Sequence, residues 1–236
     1  MKRIVRGGKR LALLVGLGWL SFAMSWSTLS AGLLDMAKFT APRASTTIVD
    51  RDGAPLRFHR VDGKHRRWIS IDGLPAHVLD AFLAAEDRRF YEHDGVDRVA
   101  TVRAVAFTLT ENSPPSGAST ITQQVIKLVY GRPHGRWSKP LEILRAWALE
   151  ERRSKRFILE QYINRVPYAN EVEGLEAASE SYFGKTASEL TLAEAALLAG
   201  LPQAPSRLDP RRDLEAATAR RNTVLDRMAR MGRLAD

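Results

Sequence analysis

The stretch "AAEDRRFYEHDGVD", Ala84 to Asp97, decides how the chain around it is read. It closes a helical pattern, places a glutamate where an apolar residue belongs, and continues with aromatics, a histidine and the turn glycine Gly95. At about 100° per residue, Val78, Leu79, Phe82 and Leu83 span an apolar arc from about 0° to about 140°, and Glu86 falls at about 80°, inside it. A carboxylate there is partly desolvated or needs a partner. Desolvation raises a carboxyl pKa toward neutrality, which suits a general base. The bland alternative is that the helix ends nearby and Glu86 turns to solvent or pairs with Arg88 or Arg89.

The next informative segment is "GASTITQQVIKLVY". On a helix starting near Ser119, the residues Thr120, Gln123, Gln124 and Lys127 share one arc of about 100°, and Ile121, Val125, Leu128 and Val129 share the opposite side. One face is therefore core. The other carries amides, hydroxyls and one cation, a set that suits an anion such as phosphate near a helix N-terminus, with Ser119 as N-cap or ligand. An ordinary exposed polar face accounts for it equally well.

Further along, "SKPLEILRAWALEERRSKRFILEQYIN" offers Ser138 as a cap, Pro140 in the first turn and Glu142 just after it. Acids near a helix start commonly offset the dipole, so Glu142 has a structural explanation. Lys139, Arg145, Arg152, Arg153, Lys155 and Arg156 read as a solvated basic face. In "LTLAEAALLAGLP", Thr191 and Glu194 form a capping box, Gly200 a C-cap and Pro202 a stop, and Glu194 is structural. Leu214 to Leu234 puts Leu214, Ala217, Arg221, Val224, Leu225, Met228 and Met231 at helical spacing, a surface helix with solvated arginines.

Before these helices the chain is different. Leu11 to Leu34 is 24 residues without a charge, preceded by Lys2, Arg3, Arg6, Lys9 and Arg10. That is enough for a membrane-spanning helix, which needs about 20 residues, with the basic flank on the cytoplasmic side. A cleaved signal peptide competes, but its apolar region runs only about 7–15 residues. The formal charge of +9 is concentrated there: without the five N-terminal cations, 31 basic residues face 27 acidic ones. An excess of that size suits an anionic membrane surface or a phosphate-bearing ligand and does not point to nucleic acid. The absence of cysteine excludes thiolate catalysis and most structural zinc sites. Thr46 to Asp50 and Leu56 to His59 flank a turn and predict a strand pair, with Arg67 to Ile71 as a third strand. From Pro75 onward the chain reads as helical. Glu111 to Ser119, rich in Pro, Ser and Gly, is a candidate flap. The apolar residues between Val96 and Leu109 belong either to a membrane-dipping jaw or to buried core.

Taken in order, "EDRRFYEHDGVD", "GASTITQQVIK", "KPLEILRAWALE", "SKRFILEQYIN" and "LTLAEAALLAGLPQAPS" resemble the five motifs of the peptidoglycan glycosyltransferases, glycosyltransferase family 51. The run "NRVPYANEVEGLEAASESYFGK" with "LPQAPSRLDP" is most similar to the transferase half of class A penicillin-binding proteins of the C type. The resemblance implies a mainly α, lysozyme-like glycosyltransferase domain, with a small β segment near the N-terminus and one N-terminal transmembrane helix. The corresponding division is 1–34 for cytoplasmic tail and anchor, 35–74 for a β-containing linker, and 75–236 for the glycosyltransferase domain, its jaw within 96–118. Such an enzyme polymerises lipid II into glycan strands at the periplasmic side of the inner membrane, with inversion and release of undecaprenyl pyrophosphate.

By the same resemblance Glu86 is the base that deprotonates the acceptor 4-hydroxyl, and Glu142 is the second catalytic carboxylate, near the donor pyrophosphate or a divalent cation such as Mg. Ser119, Gln123, Gln124 and Lys127 form the substrate-binding helix, joined by Arg136, Lys139 and Asn164. The implied partners are lipid II, the growing strand, inner-membrane lipid and other cell-wall synthesis proteins. No Ser-x-x-Lys occurs, which implies a monofunctional enzyme without transpeptidase activity. Three departures bear on the pyrophosphate contacts. Ser138-Lys139 stands where the family has Arg-Lys, leaving a cation missing or supplied by Arg136. Leu128 replaces an asparagine, and Ala169, Asn170 and Glu171 replace the usual glycines around Tyr168. Two rival readings remain: a lytic enzyme using Glu86 as acid, and a non-catalytic membrane-bound scaffold.

Overall fold

The structure is a computed structural model that describes residues 28, 30–52, 55–99, 119–131, 135 and 137–234. Most of the proposed anchor, the 100–118 part of the proposed jaw and flap, and Arg136 lie outside the described residues. Among the described residues, no helix is long and apolar enough to cross a membrane.

The domain is mainly helical with small β parts, as the sequence suggests. Its helices are α1 (Ala76–Glu86), α2 (Ile121–Tyr130), α3 (Ser138–Arg152), α4 (Lys155–Arg165), α5 (Leu175–Phe183), α6 (Leu192–Gly200) and α7 (Leu214–Arg230). Strands β1 (Thr46–Val49) and β2 (Pro55–His59) form the antiparallel pair expected, with Thr46 opposite His59.

Two helical groups share one core. α1, α6 and α7 pack on one another, and α2 packs on α3 and α4. Val78 and Phe82 from α1, Ile121 and Val125 from α2, Leu149 from α3, Tyr162 from α4, and Val224 and Met228 from α7 are all fully buried. The apolar arcs read at helical period are the faces that meet. At roughly 1.5–3 kcal/mol per large apolar side chain, this burial dominates the stability of the domain. Glu86, the last residue of α1, sits where the two groups join.

Some expectations are corrected. Arg67 to Ile71 is not a strand; the pairing moves to β3 (His65–Arg66), which lies parallel to β4 (Val172–Glu173) inside the region read as wholly helical. The reason is Asn164. Its Oδ1 accepts from the Ile69 N–H and its Nδ2 donates to the Ile69 carbonyl, both at 2.8 Å, so one side chain does the work of a strand neighbour. Ser138 is the first residue of α3 rather than its cap, which is Trp137. The Thr191–Glu194 capping box is present as read. Gly200, however, keeps right-handed helical geometry at φ −80° and is not a left-handed cap. A Cβ there would lie 2.9 Å from Cγ of Arg220, so this glycine makes room for a side chain from α7.

Two predictions follow from the backbone. Asn170 and Glu171 hold φ values of 58° and 60°, where the family pattern has glycine. The left-handed conformation costs about 1–2 kcal/mol for a residue with a Cβ, and glycine loses about 0.5–1 kcal/mol of that advantage through chain entropy. Glu171→Gly, at an exposed position, is expected to stabilise the fold by about 0.5–1 kcal/mol in urea unfolding. Asn164→Leu leaves both polar groups of Ile69 without their partner. It is expected to destabilise by about 2–3 kcal/mol, with the loss read as a lower urea midpoint.

Candidate active site

Glu86 ends α1 because the next residue, Asp87, turns to extended backbone at φ −157°. The Asp87 carboxylate is buried and points back into the protein. It accepts from Nε2 of His93 at 3.0 Å and from the N–H of Ile121 at 3.0 Å, the first residue of α2. A negative group against the first N–H of a helix is favourable both as a hydrogen bond and toward the dipole. Thr120 adds a second tie, donating its hydroxyl to the Gly95 carbonyl at 2.6 Å. Thr122 donates to Glu150 on α3, and Lys155 on α4 bridges Glu150 and the His93 carbonyl. The first motif, the starts of α2 and α4 and the end of α3 are thus joined through largely buried polar bonds. Lys155 is no solvated lysine, contrary to its sequence reading.

With α2 fixed this way, Gln124 faces Glu86: its Nε2 donates to Oε2 of Glu86 at 2.8 Å. Burial pushes the Glu86 carboxyl above its ordinary value of 4.5, opposed by that hydrogen bond and by the charges of Arg220, Arg227 and Lys127. Two buried phenols, Tyr162 and Tyr168, lie in the same field, and burial pushes both well above their usual range. The sequence reading of α7 as a surface helix with solvated arginines is therefore incorrect for two of them. Arg220 donates to the Gly200 carbonyl at 3.3 Å, and Arg227 to the Ala85 carbonyl at 2.8 Å.

The other predicted residues divide. Ser119 precedes the helix, and the N-cap is Thr120, not Ser119. Gln123 does not join the polar face. It is buried, and its Oε1 accepts from the Thr120 N–H at 3.1 Å in a capping box, so its amide oxygen is committed to the helix start. Glu142 is buried on α3 and takes Lys139 at 2.6 Å, a pairing of adjacent helical turns. Asn164, expected as a substrate contact, is engaged with Ile69 and with the Glu160 carbonyl. Sequence reasoning missed Asp87, His93, Arg220 and Arg227; Asp87, Arg220 and Arg227 act through partners 20 to 142 residues away, and His93 through the side chain of Asp87, none of which helical spacing reveals.

As to a metal, no three His, Asp or Glu side chains cluster as a site among the described residues. Glu142 already holds Lys139, so a divalent cation there would find one protein carboxylate and the substrate's own phosphates.

A half-buried carboxylate held by an amide, beside cations from two helices, defines a site for moving a proton next to an anionic leaving group. A family model described as Transglycosylase matches residues 53–229, and the chain belongs to this family as a glycosyltransferase domain. It is 40% identical over 220 residues to penicillin-binding protein 1C of Escherichia coli, covering 88% of this chain and 29% of that protein. It is 40% identical to penicillin-binding protein 1A of Aquifex aeolicus, covering 98% of this chain and 32% of the relative. The crystal structure of penicillin-binding protein 1A from Haemophilus influenzae aligns at TM-score 0.48 and 25% identity, over 83% of this chain and 20% of that one. The chain spans about a third or less of the length of these relatives.

The raised Glu86 pKa carries a stability consequence. A carboxyl whose folded-state pKa lies above its unfolded value favours folding while protonated, below 4.5, and that contribution is lost as pH rises through the folded value. Glu86→Gln cannot ionise and keeps the amide contact. Its melting temperature, followed by thermal unfolding across pH, is expected to match the wild type in acid and to exceed it at neutral pH.

Proposed function

We propose that the chain is a peptidoglycan glycosyltransferase that polymerises lipid II into glycan strands, with Glu86 as the general base. The carrying observation is the Glu86 carboxylate itself: desolvated, aligned by Gln124, and set in the field of Lys127. In the proposed step Glu86 takes the proton of the acceptor 4-hydroxyl as its oxygen bonds to the anomeric carbon of the donor. The bond from that carbon to the diphosphate breaks on the opposite face, and undecaprenyl pyrophosphate leaves with the electron pair. Lys127 stabilises the charge growing on the departing oxygens. A single fixed donor of this kind is worth about 3–4 kcal/mol in favourable cases. Glu142, paired with Lys139, presents a buried acid and a cation on α3, suited to steering the phosphates.

The reading extends to the lysozyme-like fold and the membrane anchor. The end of the uncharged stretch rests on α3, where Arg145 donates to the Leu33 carbonyl and Arg152 to the Ser30 hydroxyl. An anchor leaving from there would hold the cleft at the bilayer surface, where both substrates are tethered, and confer an effective-molarity gain.

A carboxyl with a raised pKa is equally suited to donate a proton, which keeps the lytic reading in play. One assay separates them. Purified protein with labelled lipid II is expected to build polymer and to leave preformed glycan intact, and Glu86→Gln is expected to lower the polymerisation rate by about 10²–10⁴-fold. Wild-type polymerisation by Glu86→Gln would remove the base; glycan loss without polymer growth would replace transfer by lysis.

A further inference from the structure

The end of α1 poses an electrostatic problem. A helix C-terminus leaves carbonyls without intrahelical partners and carries partial negative charge, an unfavourable place for a carboxylate that must ionise to act. Of the free carbonyls, that of Leu83 is filled by the Asp87 N–H at 2.9 Å. Those of Ala84 and Ala85 receive the Arg227 guanidinium, at 3.5 and 2.8 Å, from a residue 142 positions beyond Ala85. Val224 and Met228, both fully buried, flank Arg227 on α7 and fix the rotation of that helix.

We propose that Arg227 is a positioning residue for Glu86: it ties the last turn of α1 to α7 and supplies the fixed positive charge that lets Glu86 stand ionised at a helix C-terminus. The inference rests on the reading of Glu86 as the base. The groups facing Glu86 are Gln124 and Lys127 from α2, Tyr162 from α4, Tyr168 from the turn after it, and Arg220 and Arg227 from α7. Their duties differ. In the proposed reaction Lys127 answers the diphosphate, so its charge is offset once the donor binds. The phenols stay neutral and add no charge. Arg220 bonds to the end of α6 rather than to α1. Arg227 is the one of these six that donates to the backbone carbonyls ending the helix that carries the base, and it needs no substrate to hold it there.

The test uses the full chain in detergent micelles, with the Glu86 carboxyl followed by carbon-13 NMR and assigned by its absence in Glu86→Gln. Arg227→Met keeps the apolar stem and removes the charge; Arg227→Gln keeps a neutral donor for the Ala85 carbonyl; Arg227→Lys keeps the charge. In the Met and Gln variants the Glu86 titration midpoint is expected to rise by at least about half a pH unit, a modest share of what a nearby opposite charge can impose. The acid limb of kcat/KM for lipid II is expected to move with it, slowing turnover about threefold below the limb. Arg227→Lys is expected to recover most of both shifts. A midpoint unmoved in the folded Gln variant overturns the proposal, as does a Lys variant that loses rate while its midpoint stays at the wild-type value, since the arginine would then be a structural cap only. A midpoint that follows Arg227 while the limb does not follows a different failure: the influence of the arginine stands and Glu86 is not the base.

Discussion

The site depends on one buried carboxylate that takes no part in the proposed chemistry. Asp87 ends α1, holds His93 and caps the first N–H of α2. Without it, the start of α2 loses its direct bond to the residue that ends α1, the tie nearest to the meeting of Gln124 with Glu86. A buried ionised acid is tolerated only when its lone pairs are filled. Asp87 meets that condition through groups that belong to two other segments, so its burial and the assembly of the cleft are the same event.

Glu86 sits beside this anchor under opposing influences. Burial and the helix end both disfavour its charge, whereas Gln124, Lys127, Arg220 and Arg227 favour it. The outcome is a carboxyl held above its ordinary value, the direction that strengthens it as a base. Such a balance is gained at the expense of stability, as is common where an active group is held in an environment that does not suit it.

How much of this was legible follows from how local each feature is. The apolar faces of α1 and α2, and the intrusion of Glu86, come from a period of a few residues and were readable. So was the Thr191–Glu194 box, a contact three residues long. Helical period puts Gln123 on the polar arc, but the same position is the third residue of the helix, and the capping box takes it into the interior. Gly200 was noticed for the wrong reason: a glycine near a helix end suggests a cap, and only the packing of Arg220 against it reveals the actual cause. Asn164, Asp87 and Arg227 were beyond reach, because each is defined by a partner 34 to 142 residues away. The five motifs placed the chain in its family, which the family model bears out over residues 53–229, while leaving the duties within each motif to the packing.

The hydroxyl of Thr120 on the carbonyl of Gly95 joins points 25 residues apart in sequence. Gly95 is itself seated so closely that a Cβ would come within 3.0 Å of the Ala146 backbone, at a φ of 85°. The two ends of the intervening span are thus riveted to each other and to α3. A side chain at position 95 would have to displace the Ala146 backbone, so it would shift the carbonyl that receives the Thr120 hydroxyl and, with it, the start of α2.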